Sequence, residues 1–181
     1  MTPYAIEIPT LETERLILRA PLPRDAEASI GFMMSERSKF VGGPQTRNKA
    51  WRSFALEIGH WVLRGFGMWT VTLKGDDRAL GIVGCWYPEG WPEKEIGWTL
   101  LEEAEGKGIA QEAALAARAH AYGTLGWPTA VSYIDHGNER SIALAERLGA
   151  RRDAAAAFPG QAEGAEPCHV YRHPAPAELA P

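Results

Sequence analysis

Several protein classes are ruled against by what this sequence has little of. Only two cysteines occur in 181 residues, Cys85 and Cys168. Neither belongs to a CxxC pair, which argues against a disulfide framework and a cysteine-built zinc site. A reducing, cytoplasmic setting and no metal are therefore expected. No apolar stretch approaches the ~20 residues of a membrane helix. The opening MTPYAIEIPTLETERL lacks a basic start followed by an apolar run, so neither a signal peptide nor a membrane partner is expected. Excess charge is also missing: 23 acidic against 19 basic residues leave a net charge of −4. That balance gives no reason to expect nucleic acid as the main partner. No internal repeat is visible.

What remains is ordinary globular composition, 45% hydrophobic and 23% charged. The length suits a single domain over residues 1–181, with a core over about 12–173 and a frayed tail over 174–181. TERLILRA (13–20) alternates like a half-buried strand and ends at Pro21 and Pro23. Asp25 opens a helix through AEASIGFMMSE, and TRNKAWRSFALEIGHWVLRG (46–65) carries apolar residues at helical spacing up to a C-cap at Gly65. MWTVTLK (68–74), a turn at GDDR and ALGIVGCWYP (79–88) read as a hairpin, followed by a strand at EIGWTLL (95–101). A helix over 107–126 presents Ile109, Ala113, Ala117 and Ala121 as a small-residue face. TAVSYID (129–135) is a strand, NERSIALAERLG (138–149) a helix closed by Gly149, and CHVYRHP (168–174) a last strand. ARRDAAAAFP (150–159) is a weaker strand candidate. Late strand–helix–strand units imply parallel pairing and the middle hairpin implies antiparallel pairing, a mixed α/β arrangement.

The stretch EAEGKGIAQEA (103–113) puts two glycines at the start of a helix, where each costs ~1 kcal/mol relative to alanine. A strand ending near Leu101 feeds this loop. The backbone N–H groups of Gly106 to Gln111 then lack intrahelical acceptors and converge on one concavity, a site for an anion such as a pyrophosphate. GxxxxGK[ST] is absent, and Gln111 stands where GxGxxG needs its third glycine. A strand-to-helix turn without a ligand is the alternative.

EIGWTLLEEAEGKGIAQEAA (95–114) resembles the coenzyme-A-binding segment of the GNAT superfamily of N-acetyltransferases, in its ribosomal-protein-acetyltransferase-like branch. NERSIALAERLGA (138–150) and TERLILRAPLPRDAE (13–27) resemble two further blocks of that branch, in the family order. The resemblance implies a GNAT fold: an α/β molecule of the α+β type with four helices and a mixed sheet of six or seven strands. The sheet is splayed between its two central parallel strands. It also implies an acetyl-CoA-dependent N-acetyltransferase acting on a primary amine by direct attack in a ternary complex. The amine is expected to be a small molecule. Acetylation of a protein N-terminus and a non-catalytic acyl-CoA-binding module are the alternatives.

By the same resemblance Trp98, Thr99, Leu100, Gly106, Lys107, Gly108, Ile109, Ala110, Gln111, Asn138 and Ser141 line the acetyl-CoA site. The Lys107 side chain adds a phosphate contact, and Asn138 doubles as a helix N-cap. Glu105 departs from the family's usual Gln or Arg; it either repels the pyrophosphate or points to solvent. Ala145 departs too, standing where many relatives carry a tyrosine acid. Ser141 becomes the candidate acid for the thiolate. Glu95, if buried near aromatic residues, is a candidate base, as is His136 at the end of its strand. His60, Trp61, Trp69 and Trp86 are candidates for the acceptor pocket, with Trp91 and Trp98 beside them. Arg37, Arg47, Arg52 and Arg64 would suit a substrate carboxylate. An exposed last strand would allow a homodimer.

Overall fold

The computed structural model describes residues 6–179. The alternating segment after Thr13 forms β2 (Leu16–Arg19), paired on one side with the two-residue β1 (Leu11–Glu12) and on the other with β3 (Met68–Leu73). The hairpin to β4 (Asp76–Trp86) turns on Lys74 and Gly75. This is earlier than the expected GDDR turn, because Gly75 takes the left-handed conformation (φ 82°) and frees Asp76 to start pairing. Next come β5 (Glu95–Leu100), β6 (Val131–Ile134), β7 (Arg151–Arg152) and β8 (His169–Arg172). Together they make one eight-stranded sheet in the order β1-β2-β3-β4-β5-β6-β8-β7. The mixed α/β, GNAT-type architecture stands; the count among the described residues exceeds six or seven because the two-residue β1 adds one.

Four α-helices cover the sheet: α1 (Ala26–Met34), α2 (Arg47–Arg64), α3 (Ile109–Gly123) and α4 (Glu139–Arg147). Thr46 caps α2 by accepting from the Lys49 N–H, and Gly65 closes it at φ 75°. Asp25 precedes α1 without capping it; its carboxylate is held by Arg19 and the Leu22 N–H instead. On α3, Ile109, Ala113, Ala117 and Ala121 are buried, letting the helix lie close on β4 and β5. The core beneath includes Leu16, Leu18, Val71, Val83 and Ile96, all fully buried, each contributing about 1.5–3 kcal/mol. Residues 153–168 between β7 and β8 form a long loop, so the expected strand over 150–159 reduces to Arg151–Arg152. Within the expected tail, Pro176–Glu178 makes a 3-10 turn, and residues 180–181 lie outside the described part. The last strand is not an edge: β8 lies between β6 and β7, which removes the pairing surface expected of it for a homodimer.

The splay between β5 and β6 positions the candidate site. β5 and β6 run parallel but share a single register pair, Glu95 opposite Val131, and then part. Side chains take over where the ladder stops. Ser132 Oγ donates to the Ile96 carbonyl at 2.6 Å, and the Tyr133 N–H points to Glu95 Oε1 at 3.4 Å. Behind Ser132, buried His173 lies 3.0 Å away through Nε2 and 3.3 Å from Arg118 through Nδ1. Arg118 can only donate, so Nδ1 accepts, Nε2–H donates to Ser132, and the whole chain has one direction. Arg172 and His173 therefore brace β8, with Arg172 paired to Glu93 and Asp153 at 2.8 Å.

Candidate active site

Two cavities meet at this splay. The first, about 1000 Å³, runs between the glycine loop, α4 and the segment after α1. Gly106 (φ 71°) and Gly108 (φ 74°) both need the left-handed conformation, which costs an L-residue roughly 1–2 kcal/mol. Gly108 is the N-cap of α3, and the N–H groups from Gly106 to Gln111 have no acceptor among the described residues. The loop is fastened from behind. Arg15 donates to the Lys107 carbonyl at 3.0 Å and pairs with Glu112 at 2.6 Å, and Thr13 bonds the same carboxylate.

All the residues expected at the acetyl-CoA site line this cleft except one. Lys107 is not among the lining residues; its carbonyl accepts from Arg15 on the other side of the loop, while its N–H has no acceptor among the described residues. Asn138 lies on the cleft wall and also caps α4, accepting from the Ser141 N–H at 3.3 Å. Trp98 Nε1 donates to Ser141 Oγ at 3.2 Å, which leaves the serine proton available on the cleft side. Glu105 neither faces open solvent nor stands as a bare negative charge: Arg37 and Arg140 both pair with it. Arg37 Nε is buried without a partner. No local motif announces Arg37, since it arrives from 68 residues before Glu105. Ala145 is fully buried against Ile134, Ala150 and Tyr171, so its position belongs to a small second core.

The second cavity, about 490 Å³, lies under α1 and α2 on the other side of β5. Trp98 and Thr99 line both cavities. Glu95 lines this one, with Trp91 Nε1 donating to Oε2 at 2.8 Å. Burial pushes the Glu95 carboxyl up to about 7, against the pull of its two N–H donors. Gly97 keeps space open beside it; a Cβ there would stand 3.7 Å from Glu95 Oε1. Trp86 and Trp91 are also on the wall.

Three of the four expected pocket residues are elsewhere. Trp61 and Trp69 are core residues meeting edge to face at 5.0 Å, with their ring nitrogens given to the Met68 and Pro9 carbonyls. His60 is buried and fully used: Nδ1 bonds the Phe66 carbonyl at 2.7 Å, Nε2 accepts from the Tyr87 N–H at 3.0 Å, and the ring stacks on Trp86. His136 is exposed, packs on His169 at 4.0 Å and lines neither cavity, so it does not face the reaction space. The arginines expected for a substrate carboxylate are also absent from the second cavity. Arg47 pairs with Glu27, Arg64 reaches Glu89, Arg52 is exposed on α2, and Arg37 belongs to the first cleft.

Residues 15–151 match the acetyltransferase (GNAT) domain family. The chain belongs to that family. The GNAT chain is similar to an acetyltransferase from Agrobacterium tumefaciens strain C58, at 39% identity and a TM-score of 0.86, over 94% of this chain and 96% of that one. It shares its fold with a GNAT-family acetyltransferase from Bacillus anthracis (20% identity, TM-score 0.69, 91% and 96% covered). It shares it also with RimL, a ribosomal L7/L12 alpha-N-protein acetyltransferase solved with coenzyme A (17%, 0.66, 89% and 93%). Membership makes this protein an N-acetyltransferase, and enzymes of this family use acetyl-CoA.

Proposed function

We propose that this enzyme transfers the acetyl group of acetyl-CoA to a primary amine of a small molecule, with both substrates bound at once. The observation that carries the reading is the meeting of the two cavities at Trp98 and Thr99, with Glu95 on the acceptor side. Acetyl-CoA supplies the acyl group as a thioester with a thiolate leaving group. The unpaired N–H groups of Gly106 to Gln111 suit its phosphates, and Arg37, Arg140 and Arg147 surround them with cations. The backbone edge of β5 beyond the splay is open to an extended arm, which binds there as an added strand. Glu95 takes the proton released when the amine nitrogen forms its bond to the acyl carbon. Ser141 supplies one to the departing sulfur.

Direct transfer is favoured because no thiol is ready to carry the acyl group. Burial pushes Cys168, the one cysteine on the acceptor cavity, up to about 11, and Cys85 higher still. A small acceptor is favoured over a polypeptide N-terminus because Pro159 and Glu166 of the 153–168 loop line the cavity. Its volume also falls within the roughly 300–1000 Å³ typical of small-molecule sites. The test is coenzyme A release from acetyl-CoA across a panel of small amines and short peptides. Faster turnover of a peptide N-terminus than of any small amine would overturn the choice of acceptor.

A further inference from the structure

The acceptor cavity has one sign of charge. Asp25, Glu57, Glu95, Asp135 and Glu166 line it, and no lysine, arginine or histidine does. These five are not equivalent. Asp25 is committed to Arg19, at 2.7 and 2.8 Å, and to the Leu22 N–H and Thr70. Asp135 and Glu166 are exposed. Glu95 is held by Trp91 and the Tyr133 N–H. Glu57, on α2, makes no hydrogen bond or ion pair with any described residue, and its Oε2 is sealed from solvent without a partner.

A carboxylate in that position is costly unless something arrives to pair with it. Burial pushes the Glu57 carboxyl up to about 8, so near neutrality it idles largely protonated. A cation brought beside it favours the ionised form, and the pair forms inside the cavity. Trp86 and Trp91 on the same wall supply aromatic surface beside the cation or its methylene chain. A substrate carboxylate would meet five acids and no base, which disfavours amino acids as acceptors.

We propose that the acceptor is a diamine, one nitrogen delivered to Glu95 for acetylation while the second, as an ammonium, pairs with Glu57. This rests on the reading of the second cavity as the acceptor site. It goes beyond that reading by naming Glu57 as a specificity residue and a second positive charge as what it recognises.

Putrescine, n-butylamine and γ-aminobutyrate have the same chain length and differ only in the far group, so they form the test set. Two readouts are taken on the wild type and on Glu57→Gln: kcat/KM from coenzyme A release, and direct calorimetric binding of putrescine in the presence of coenzyme A. Glu57→Gln is close to isosteric at a site without native partners, and its thermal melt checks folding. The wild type is expected to prefer putrescine over n-butylamine by about a hundredfold or more, as for a buried charge pair, with γ-aminobutyrate below both. In Glu57→Gln that ratio is expected to collapse toward one, and putrescine binding to weaken at least about tenfold. Equal turnover of putrescine and n-butylamine by the wild type, or a ratio unchanged in the variant, overturns the proposal while leaving amine acetylation intact. Putrescine binding that Glu57→Gln weakens, with no turnover of any small amine, keeps Glu57 as the residue that holds an ammonium but overturns the diamine as acceptor, and the small-molecule reading of the cavity with it.

Discussion

The two cavities on either side of β5 are built from different materials. The donor cleft is made largely of backbone: a glycine loop, the start of α3 and the unpaired edge of a strand. Its charged side chains are mixed, with Arg37, Lys39, Arg140 and Arg147 against Glu36, Glu105 and Glu139. The acceptor cavity is made of side chains from distant segments, and all its charges are negative. Backbone geometry serves a ligand that does not vary, since N–H groups recognise phosphate whatever the neighbouring residues are. Side chains can be exchanged without disturbing the fold, which suits them to setting which ligand a cavity takes.

That contrast can be broken at its strongest point first. Gly108→Trp forces a bulky residue into a left-handed position, against the Arg15 side chain that fastens the glycine loop. Acetyl-CoA affinity is expected to fall by about three orders of magnitude, ~4 kcal/mol, by calorimetry, with amine binding to the second cavity retained. Ser141→Ala should reduce kcat by about a hundredfold while acetyl-CoA affinity stays near the wild-type value, because the serine acts on the leaving sulfur. Ser132→Ala attacks what the two cavities share. It leaves the buried Ile96 carbonyl and His173 without their hydroxyl partner, at a cost of about 1–3 kcal/mol in urea unfolding. Both binding affinities should weaken together. The smallest effect is expected from Glu105→Gln, which releases Arg37 and Arg140 from an ion pair at the cleft surface. Acetyl-CoA should bind a few-fold more tightly, by less than about 1 kcal/mol, and the gain should shrink in high salt.

The same contrast explains what sequence reasoning could reach. Gly106, Gly108 and the helix that follows are contiguous, so their spacing alone marks a candidate anion site, whereas Asn138 and Ser141 come only from the resemblance and lie on the wall of the same cleft. Nothing local shows that Arg15, from β2's leading turn, takes the Lys107 carbonyl. For the acceptor side, composition points to tryptophan and histidine, yet Trp61 and His60 turn inward to backbone carbonyls near the bend between α2 and β3, and Trp69 to the Pro9 carbonyl before β1. Glu57 was passed over altogether, since an unpaired glutamate in an amphipathic helix looks solvated until the chain folds over it. Of the strands, the two-residue β1 escaped because pairing that short leaves no alternation to detect, and β7 is the remnant of the weaker candidate over 150–159.

The central claim is that Glu95 acts on the acceptor and leaves the donor alone. The most direct test is kcat against pH for the wild type and Glu95→Gln, with acetyl-CoA affinity measured on both. The raised carboxyl takes a proton only when ionised, so wild-type kcat should rise with pH through a midpoint of about 7. In Glu95→Gln that step should vanish and kcat fall about a hundredfold, with acetyl-CoA affinity unchanged. A variant that keeps the wild-type profile, or one that loses acetyl-CoA affinity in parallel with rate, would contradict the account.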